Sequence, residues 1–278
     1  MFINSDLHLH SEFSYDATLT LDELGKKATE LGLSKIGITD HLNFNDSKFI
    51  DDIKRSSENV KLMQEKYPCL LLGVELTPIE KPEFDYIAKY GTRDGYVAPA
   101  SNEPYPIELG MTKEELKSLG IRYAIGAAHW RVDTAAALRN EDDVTACIKE
   151  WHRQQMFLAV DERVTVLGHP WYNGRGLWYE DFSVIPHSMN LELMAALKEN
   201  KKYAECNTGV LLSPKASENF KRQYAEFLRE MFEYGIQITF GTDAHRVYED
   251  KRDKAELYLA NAGFKEGDIT EIPEYDLW

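Results

Sequence analysis

Short apolar segments alternate with segments of helical spacing about seven times along the chain, and this alternation restricts the fold more than any other feature. Strands that alternate with helices form a parallel sheet whose faces the helices cover. No linker or low-complexity stretch interrupts residues 1–278, a length that is common among α/β barrels, so we predict a single α/β domain. The predicted strands are 2–8, 36–39, 69–74, 122–127, 165–167, 203–205 and 236–240, and the predicted helices are 19–33, 47–66, about 141–159, 189–201, 216–234 and 251–262.

One segment departs from the alternation. Residues 78–110 are rich in proline and tyrosine, and a short helix is expected near 112–119. We predict an insertion over about 78–120 that covers part of the functional site.

The charge balance limits the kinds of partner. The chain has 47 acidic and 32 basic residues, for a net charge of −15. Nucleic acids and anionic membranes require a positive surface, so both are disfavoured as partners. The three cysteines, Cys69, Cys147 and Cys206, show no paired spacing, and neither a leader segment nor a long apolar run is present. We therefore expect a cytoplasmic protein without disulfides.

Histidines and acids recur where the predicted strands end. Six of the eight histidines lie at such positions, and they are accompanied by two acids. The carboxyl ends of the strands carry the active site in α/β barrels, so these side chains are expected to meet at one rim. The residues are His8, His10, His41, Glu75, His129, His169, Asp243 and His245.

These side chains predict a metal centre. With Asp16 added there are nine candidate ligands, which exceeds the four that one zinc ion takes and suits two or three cations sharing a carboxylate. Glu75 is the natural bridge, and the mixture of imidazoles and carboxylates favours Zn²⁺, Fe²⁺ or Mn²⁺. Each fragment also has a structural alternative: Asp243 as a helix cap, or His129 and His169 as hydrogen-bonded core residues. The metal site would be absent only if all of these alternatives were true at once.

The motifs involved are His8-Leu9-His10, Asp16, Thr39-Asp40-His41, Gly73-Val74-Glu75, His129, Gly168-His169 and Gly241-Thr242-Asp243-Ala244-His245. As a set they resemble the PHP (polymerase and histidinol phosphatase) family, and the resemblance implies a distorted (β/α)₇ TIM-like barrel with a trinuclear metal centre. By the same resemblance, one metal would be held by His8, His10, Glu75 and Asp243, a second by Glu75, His129 and His169, and a third by Asp16, His41 and His245. Glu12 is the nearest rival of Asp16, and Asp40 and Asp6 are expected to orient ligands from behind.

A metal cluster of this kind favours phosphoester hydrolysis, because it activates a bridging hydroxide and neutralises phosphoryl oxygens. Arg131 and Arg175 follow two of the histidine motifs and are candidate phosphate clamps, with ordinary surface arginines as the alternative. The candidate proton donors to the leaving oxygen are His245, Asp16 and a metal-bound water. The aromatic side chains near the ligand loops are expected to enclose a pocket: Trp130, Trp171, Tyr172, Trp178 and Tyr179.

Stand-alone histidinol phosphatases resemble the chain in length and motif order. They carry a Cys-Pro-His-Gly-like segment where this chain has residues 11–16, Ser-Glu-Phe-Ser-Tyr-Asp, so the substrate is left open. We predict a histidinol-phosphatase-like phosphomonoesterase that acts on a small phosphorylated metabolite. The alternative is a phosphodiesterase or exonuclease of the same family that acts on nucleotides or single-stranded nucleic acid.

Overall fold

The computed structural model describes residues 2–101, 103–129 and 143–278. The strands are β1 (Ser5–Leu9), β2 (Lys35–Ile38), β3 (His41–Leu42), β4 (Leu70–Leu76), β5 (Ile79–Glu80), β6 (Ile107–Glu108), β7 (Tyr123–Gly126), β8 (Val166–Leu167), β9 (Tyr203–Asn207) and β10 (Ile238–Gly241). The helices are α1 (Leu21–Leu31), α2 (Ser47–Met63), α3 (Lys81–Tyr90), α4 (Lys113–Ser118), α5 (Val144–Val160), α6 (His187–Glu199), α7 (Thr208–Leu211), α8 (Glu218–Tyr234) and α9 (Arg252–Asn261).

Seven parallel strands form a sheet that is nearly closed into a barrel. Their order is β1–β2–β4–β7–β8–β9–β10, and the short strand β3 pairs with β4 beside this path. The first and last strands approach each other at their carboxyl ends, where Asp243 N–H donates to His8 O at 2.8 Å and His10 N–H donates to Ala244 O at 3.0 Å. The expected α/β class and distorted seven-stranded barrel are therefore confirmed.

Local sequence signals explain where several elements begin. Helix α1 starts at a capping box, in which the Thr20 hydroxyl accepts from Glu23 N–H and the Glu23 carboxylate accepts from Thr20 N–H. Strand β4 is buried along its whole length, as expected for a strand covered on both faces of a parallel sheet. It is also longer than predicted, so that Glu75 lies within the strand rather than after it.

The interior of the barrel is filled by side chains at the amino ends of the strands. Tyr123 is fully buried there and donates from its hydroxyl to Leu7 O at 2.6 Å. Gly37 leaves the space that this ring occupies, because a Cβ at Gly37 would lie 2.0 Å from the Tyr123 hydroxyl. The packed end of the barrel thus lies opposite the end at which the histidines gather.

The carboxyl-terminal segment closes the packed end. Ile269 forms a parallel bridge with Ile238 at the start of β10, and Ile272 joins the interior cluster around Tyr123. Trp278 N–H donates to Arg122 O at 2.7 Å, which fixes the segment beside β7. The last residues therefore cover the barrel core at the amino ends of the strands.

The segment predicted as an insertion contains the expected short helix, α4, and also elements that were not predicted. Strands β5 and β6 form a two-stranded antiparallel sheet, and α3 packs against it through Ile87 and Ile79. Pro82 lies in the first turn of α3, where proline is compatible with a helix, so its presence did not exclude one. Within the described ranges, no helix combines the length and the apolar composition needed to cross a bilayer.

Candidate metal centre

All nine of the expected ligands meet at the carboxyl end of the barrel. His8 lies in β1, His41 in β3 and Glu75 in β4, while the others follow β1, β7, β8 and β10: His10, Asp16, His129, His169, Asp243 and His245. His41 and Glu75 are direct partners in the β3–β4 ladder, so the short strand places the imidazole beside the carboxylate. The scattered positions in the sequence thus converge, although their role as ligands stays a prediction.

The Glu75 carboxylate lies at the middle of the cluster and is fully buried. Its Oε1 is 3.3 Å from His8 Nε2, 3.2 Å from His129 Nε2 and 3.1 Å from His169 Nε2. Its Oε2 is 2.6 Å from His41 Nδ1 and 3.5 Å from His10 Nε2. One carboxylate therefore contacts five imidazoles, which is the arrangement expected of a group shared by more than one cation.

Asp243 supplies a second carboxylate to the same cluster. Its Oδ1 is 3.1 Å from His10 Nε2 and 3.6 Å from His8 Nε2. The residue has a φ of +56°, in the left-handed region that residues other than glycine rarely adopt. Its N–H donates to His8 O, so the unusual backbone brings the carboxylate and the β1 histidines together.

Asp16, His41 and His245 form a third group nearer to solvent. His41 Nε2 is 3.2 Å from His245 Nε2, and Asp16 oxygens lie 3.5 Å and 3.6 Å from these two nitrogens. The rival Glu12 is engaged elsewhere, because its carboxylate accepts from Leu21 N–H at 3.0 Å, at the start of α1. The geometry therefore favours Asp16 over Glu12 as the ninth ligand.

The side chains fit a divalent metal. Several buried ligand atoms have no hydrogen-bond partner among the described residues: His8 Nε2, Asp16 Oδ1, His41 Nδ1 and Glu75 Oε2. The 2.6 Å contact of His41 Nδ1 with Glu75 lacks the angles of a hydrogen bond, so neither atom satisfies the other. Nitrogen and oxygen donors in this mixture suit zinc, iron or manganese.

Three sets of residues each bring their ligand atoms within 4.8 Å of one another. The sets are His10, His41 and His245; His8, His10 and Asp243; and His41, Glu75 and His129. These sets overlap with those that the family resemblance implies but are not identical to them, since His10 and His41 each belong to two of the sets. The division of the ligands among individual ions stays a prediction.

The electrostatics keep the two carboxylates ionised. Burial raises the pKa of Glu75, but the imidazoles of His129 and His8 outweigh burial and hold it well below its usual range. Burial likewise raises the pKa of Asp243, and His8 and His10 bring it well below the ordinary value. Burial lowers the pKa of His10 to about 3, whereas at His41 the Glu75 carboxylate outweighs burial and raises the pKa to about 10.

Oxygen acceptors behind three of the histidines fix their orientation. The Ser14 hydroxyl donates to Asp40 at 2.8 Å, so His10 Nδ1–H must be the donor in its 3.3 Å contact with Ser14 Oγ. Thr77 donates to Asn43 at 2.6 Å, so His129 Nδ1–H donates to Thr77 Oγ1 at 2.9 Å. Each ring therefore turns Nε2 toward the centre.

His245 follows the same rule, since its Nδ1 lies 2.9 Å from the Asp243 carbonyl oxygen. Asp40 and Asp6 both lie behind candidate ligands, as expected from the sequence. Asp40 is buried and also accepts from Ser11 and Ser56, while Asp6 accepts from Thr242 N–H at 3.0 Å and so holds the turn before Asp243.

Sequence reasoning missed two residues on β9. Glu205 is 1% exposed and contacts His8 and the backbone of His169, and Asn207 contacts both Glu205 and Asp243. The signal was available in the sequence, because Glu205 ends the predicted strand 203–205 just as Glu75 follows the predicted strand 69–74, but it was not used.

A cavity of about 610 Å³ opens above the cluster. Tyr15 and Tyr172 line it together with two cations, Arg246 and Lys251, while Asp16 and His245 reach it from the ligand set. None of the described residues of the 78–120 segment is among those lining the cavity, so the expected cover over the site is not seen in that part of the chain.

The other residues expected around the pocket have different positions. Arg175 is exposed and is not among the described residues that line the cavity, whereas Arg131 and Trp130 lie outside the described residues. Of the aromatic residues expected there that the structure describes, only Tyr172 lines the cavity. The expectation was wrong for Trp171, Trp178 and Tyr179, which are at most 2% exposed and belong to the main hydrophobic core.

Comparison with known proteins gives three findings. A probable histidinol-phosphatase of Thermotoga maritima is 36% identical over 72 residues, a match that spans 26% of this chain and only 30% of that relative. The crystal structure of histidinol phosphate phosphatase from Lactococcus lactis, complexed with zinc, L-histidinol and phosphate, has a similar fold, with a TM-score of 0.65 and 19% identity over 97% of this chain and 99% of that chain. The model of the PHP domain matches residues 6–267, nearly the whole chain, and the chain therefore belongs to the PHP domain family.

Proposed function

We propose that the protein is a metal-dependent phosphomonoesterase that acts on a small phosphorylated metabolite. The observation that carries this proposal is the buried Glu75 carboxylate, which contacts five imidazoles beneath an open cavity. Two or three divalent ions would be held by the nine ligands described above, with zinc, iron and manganese as candidates. The names of both histidinol phosphatases that the chain resembles support the proposal.

Divalent ions bound at such a centre lower the pKa of a shared water and neutralise phosphoryl oxygens. The chain itself supplies the groups around them. His245 and Asp16 both line the cavity with side chains that are 27% and 33% exposed. The one of the two that is not bound to a metal would be the proton donor to the leaving oxygen. His8 and His10 are buried below the cavity and are confined to binding and orientation.

A cation at the rim would assist in binding the phosphate. Arg246 follows the ligand His245 directly, lines the cavity and lies with its Nε 3.5 Å from Asp16 O. Guanidinium binds phosphate through two parallel hydrogen bonds, so we assign Arg246 this role, with Lys251 as a weaker contributor. Arg131 and Arg175 remain proposals for the same task.

The size of the cavity supports a small substrate. A volume of about 610 Å³ lies within the range typical of metabolite sites and is too small to enclose a polymer. L-histidinol phosphate is the first substrate to test, because the relatives are named for it. Residues 11–16 of this chain read Ser-Glu-Phe-Ser-Tyr-Asp and differ from the corresponding segment of histidinol phosphatases. Other phosphomonoesters must therefore be tested beside L-histidinol phosphate.

The test is hydrolysis by the protein loaded separately with Zn²⁺, Mn²⁺ and Fe²⁺. The substrates are L-histidinol phosphate, p-nitrophenyl phosphate, bis-p-nitrophenyl phosphate and single-stranded DNA. We expect release of phosphate from the monoesters, loss of activity after chelation and recovery when metal is restored. Faster cleavage of the diester or of DNA would overturn the proposal in favour of a phosphodiesterase.

Two histidine variants provide the matched control. His10→Ala removes a buried imidazole at the centre, and we expect activity to fall at least about 100-fold because a metal ligand is lost. His187→Ala removes an imidazole that is 62% exposed and paired with Glu230 on the surface, and it should retain the activity of the unmodified protein. Equal activity in both variants would contradict the assignment of the centre.

A further inference from the structure

Glu205 joins two of the strands that carry the ligands. It lies in β9 with 1% exposure, and its Oε1 is 2.8 Å from His8 Nδ1 in β1. Its Oε2 accepts from the backbone N–H of His169, after β8, at 2.6 Å. A single buried carboxylate thus contacts the side chain of one ligand and the backbone of another.

Asn207 holds this carboxylate in place. Its Nδ2 lies 3.2 Å from each oxygen of Glu205 and 3.4 Å from Asp243 Oδ2. The amide therefore connects Glu205 to a third ligand-bearing segment, the turn after β10. Every described contact that faces the Glu205 carboxylate comes from a nitrogen that can donate a hydrogen bond.

The neighbouring strand leaves room for the contact between Glu205 and His8. A Cβ at Gly241 would lie 1.9 Å from Glu205 Oε1 and 2.5 Å from the Cβ of His8. Real Cβ atoms are not found this close to other atoms, so any side chain at this position would displace the pair. Gly241 precedes the Thr242-Asp243 turn, so the same segment provides both a ligand and the space.

We propose that Glu205 is a positioning residue of the metal centre, which holds His8 in the tautomer that carries its proton on Nδ1. This inference rests on the proposed metal-dependent function. A carboxylate can only accept, so the proton of the contact belongs to His8 Nδ1. The lone pair of Nε2 is then directed at Glu75 Oε1 and Asp243 Oδ1, where a shared cation would lie.

The substitution Glu205→Gln isolates this role because it keeps the size of the side chain and changes one acceptor into a donor. The backbone N–H of His169 is a fixed donor, so the amide oxygen must stay opposite it. The new NH₂ group then faces His8 Nδ1 and forces the ring proton onto Nε2. A protonated Nε2 cannot bind a metal.

The first experiment measures zinc affinity by competition with an absorbing chelator. We expect Glu205→Gln to bind zinc about 10–100-fold more weakly while far-UV circular dichroism is unchanged. Glu150→Gln is the matched control, because Glu150 is also buried, at 2% exposure, but accepts from Arg153 and Gln154 of its own helix, α5. Wild-type affinity in folded Glu205→Gln protein would overturn the proposal.

The second experiment detects the tautomer directly in the unmodified protein and needs the variant His8→Ala only to assign the signals. Nitrogen-15 spectra of zinc-loaded, histidine-labelled protein distinguish protonated from metal-bound ring nitrogens, and comparison with His8→Ala assigns the signals. We expect a proton on Nδ1 and zinc on Nε2 of His8, and the reverse arrangement would overturn the proposal. Both measurements are independent of catalysis, so a protein that binds zinc but lacks phosphatase activity would refute the proposed function and leave the role of Glu205 standing.

Discussion

At the scale of single residues, one hydroxyl group supports two ligands. Ser14 Oγ accepts from His41 N–H at 3.1 Å, contacts His10 Nδ1 at 3.3 Å and donates to Asp40. Asp40 is buried and accepts from three serines in all, so its carboxylate anchors the whole arrangement. The orientation of His10 and the position of β3 therefore depend on the same atom.

Replacing Ser14 with alanine leaves two buried donors without an acceptor. We expect Ser14→Ala to lower the free energy of unfolding by about 1–3 kcal/mol, the usual cost of such groups. Zinc affinity should fall about 10-fold or more, because the orientation of His10 is lost. Urea denaturation and chelator competition measure the two effects, with Ser118→Ala, on the exposed surface of α4, as the control. Unchanged zinc binding would show that His10 is oriented without Ser14.

Asp16 and Glu12 lie four positions apart and are expected to respond differently. Asp16→Ala removes an oxygen near His41 and His245 and should reduce activity and the zinc content, with little effect on unfolding. Glu12→Ala removes the acceptor for Leu21 N–H at the start of α1, so it should lower the free energy of unfolding by about 0.5–2 kcal/mol and leave the zinc content unchanged. Metal analysis and denaturation of both variants test this, and the opposite pattern would make Glu12 the ligand.

At the scale of elements, β2 and β7 are matched across the barrel interior. The absence of a side chain at Gly37 admits the ring of Tyr123, whose hydroxyl reaches Leu7 in β1. Packing of this kind, between a glycine and a large residue on another strand, allows a small parallel barrel to fill its interior without strain.

Gly37→Ala introduces a methyl group against the Tyr123 hydroxyl and, at 2.7 Å, against Leu7 O. We expect a loss of about 1–3 kcal/mol in the free energy of unfolding, as in other overpacked cores. Tyr123→Phe removes the clashing oxygen, so the double variant should be more stable than the sum of the two single losses predicts. Additive losses, measured by denaturation of the three variants, would show that the Tyr123 hydroxyl is not the obstacle.

The sequence predicted that the candidate ligands converge, because most of them end or directly follow an apolar strand and parallel strands bring such positions to one rim. Glu205 was not predicted, although it ends the predicted strand 203–205. The sequence also did not predict that the side chains of Trp171 and Trp178 lie in the core, because a loop lacks the periodicity that assigns side chains to faces. Helix α3 was missed for a related reason: its short segment follows Pro78, contains Pro82 and shows no long apolar repeat.

At the scale of the whole molecule, the two ends of the barrel have separate tasks. The amino ends of the strands are packed with apolar side chains and covered by the carboxyl-terminal segment, and the carboxyl ends hold the polar cluster. This division resembles the general rule for α/β barrels, in which one face maintains stability and the other carries chemistry.

Ile272→Ala tests this separation. Ile272 is 6% exposed within the interior cluster, so we expect a loss of about 2–5 kcal/mol in the free energy of unfolding. Zinc affinity at 20 °C should stay close to that of the unmodified protein as long as the variant is folded, because the substitution lies at the opposite end of the strands. Leu257→Ala, at a side chain that is 61% exposed, is the control for removing an aliphatic group. Weakened zinc binding in folded Ile272→Ala would show that the two ends are coupled.

The junction between β1 and β10 gives the centre one more property. His10 and Asp243 are separated by 233 positions, yet their side chains are in contact, and the backbones of these two strands are hydrogen-bonded beside them. No fragment that lacks either end of the barrel can assemble the cluster. Tight zinc binding therefore reports that the two ends of the barrel are joined, and during refolding we expect it to appear no earlier than the junction of β1 with β10.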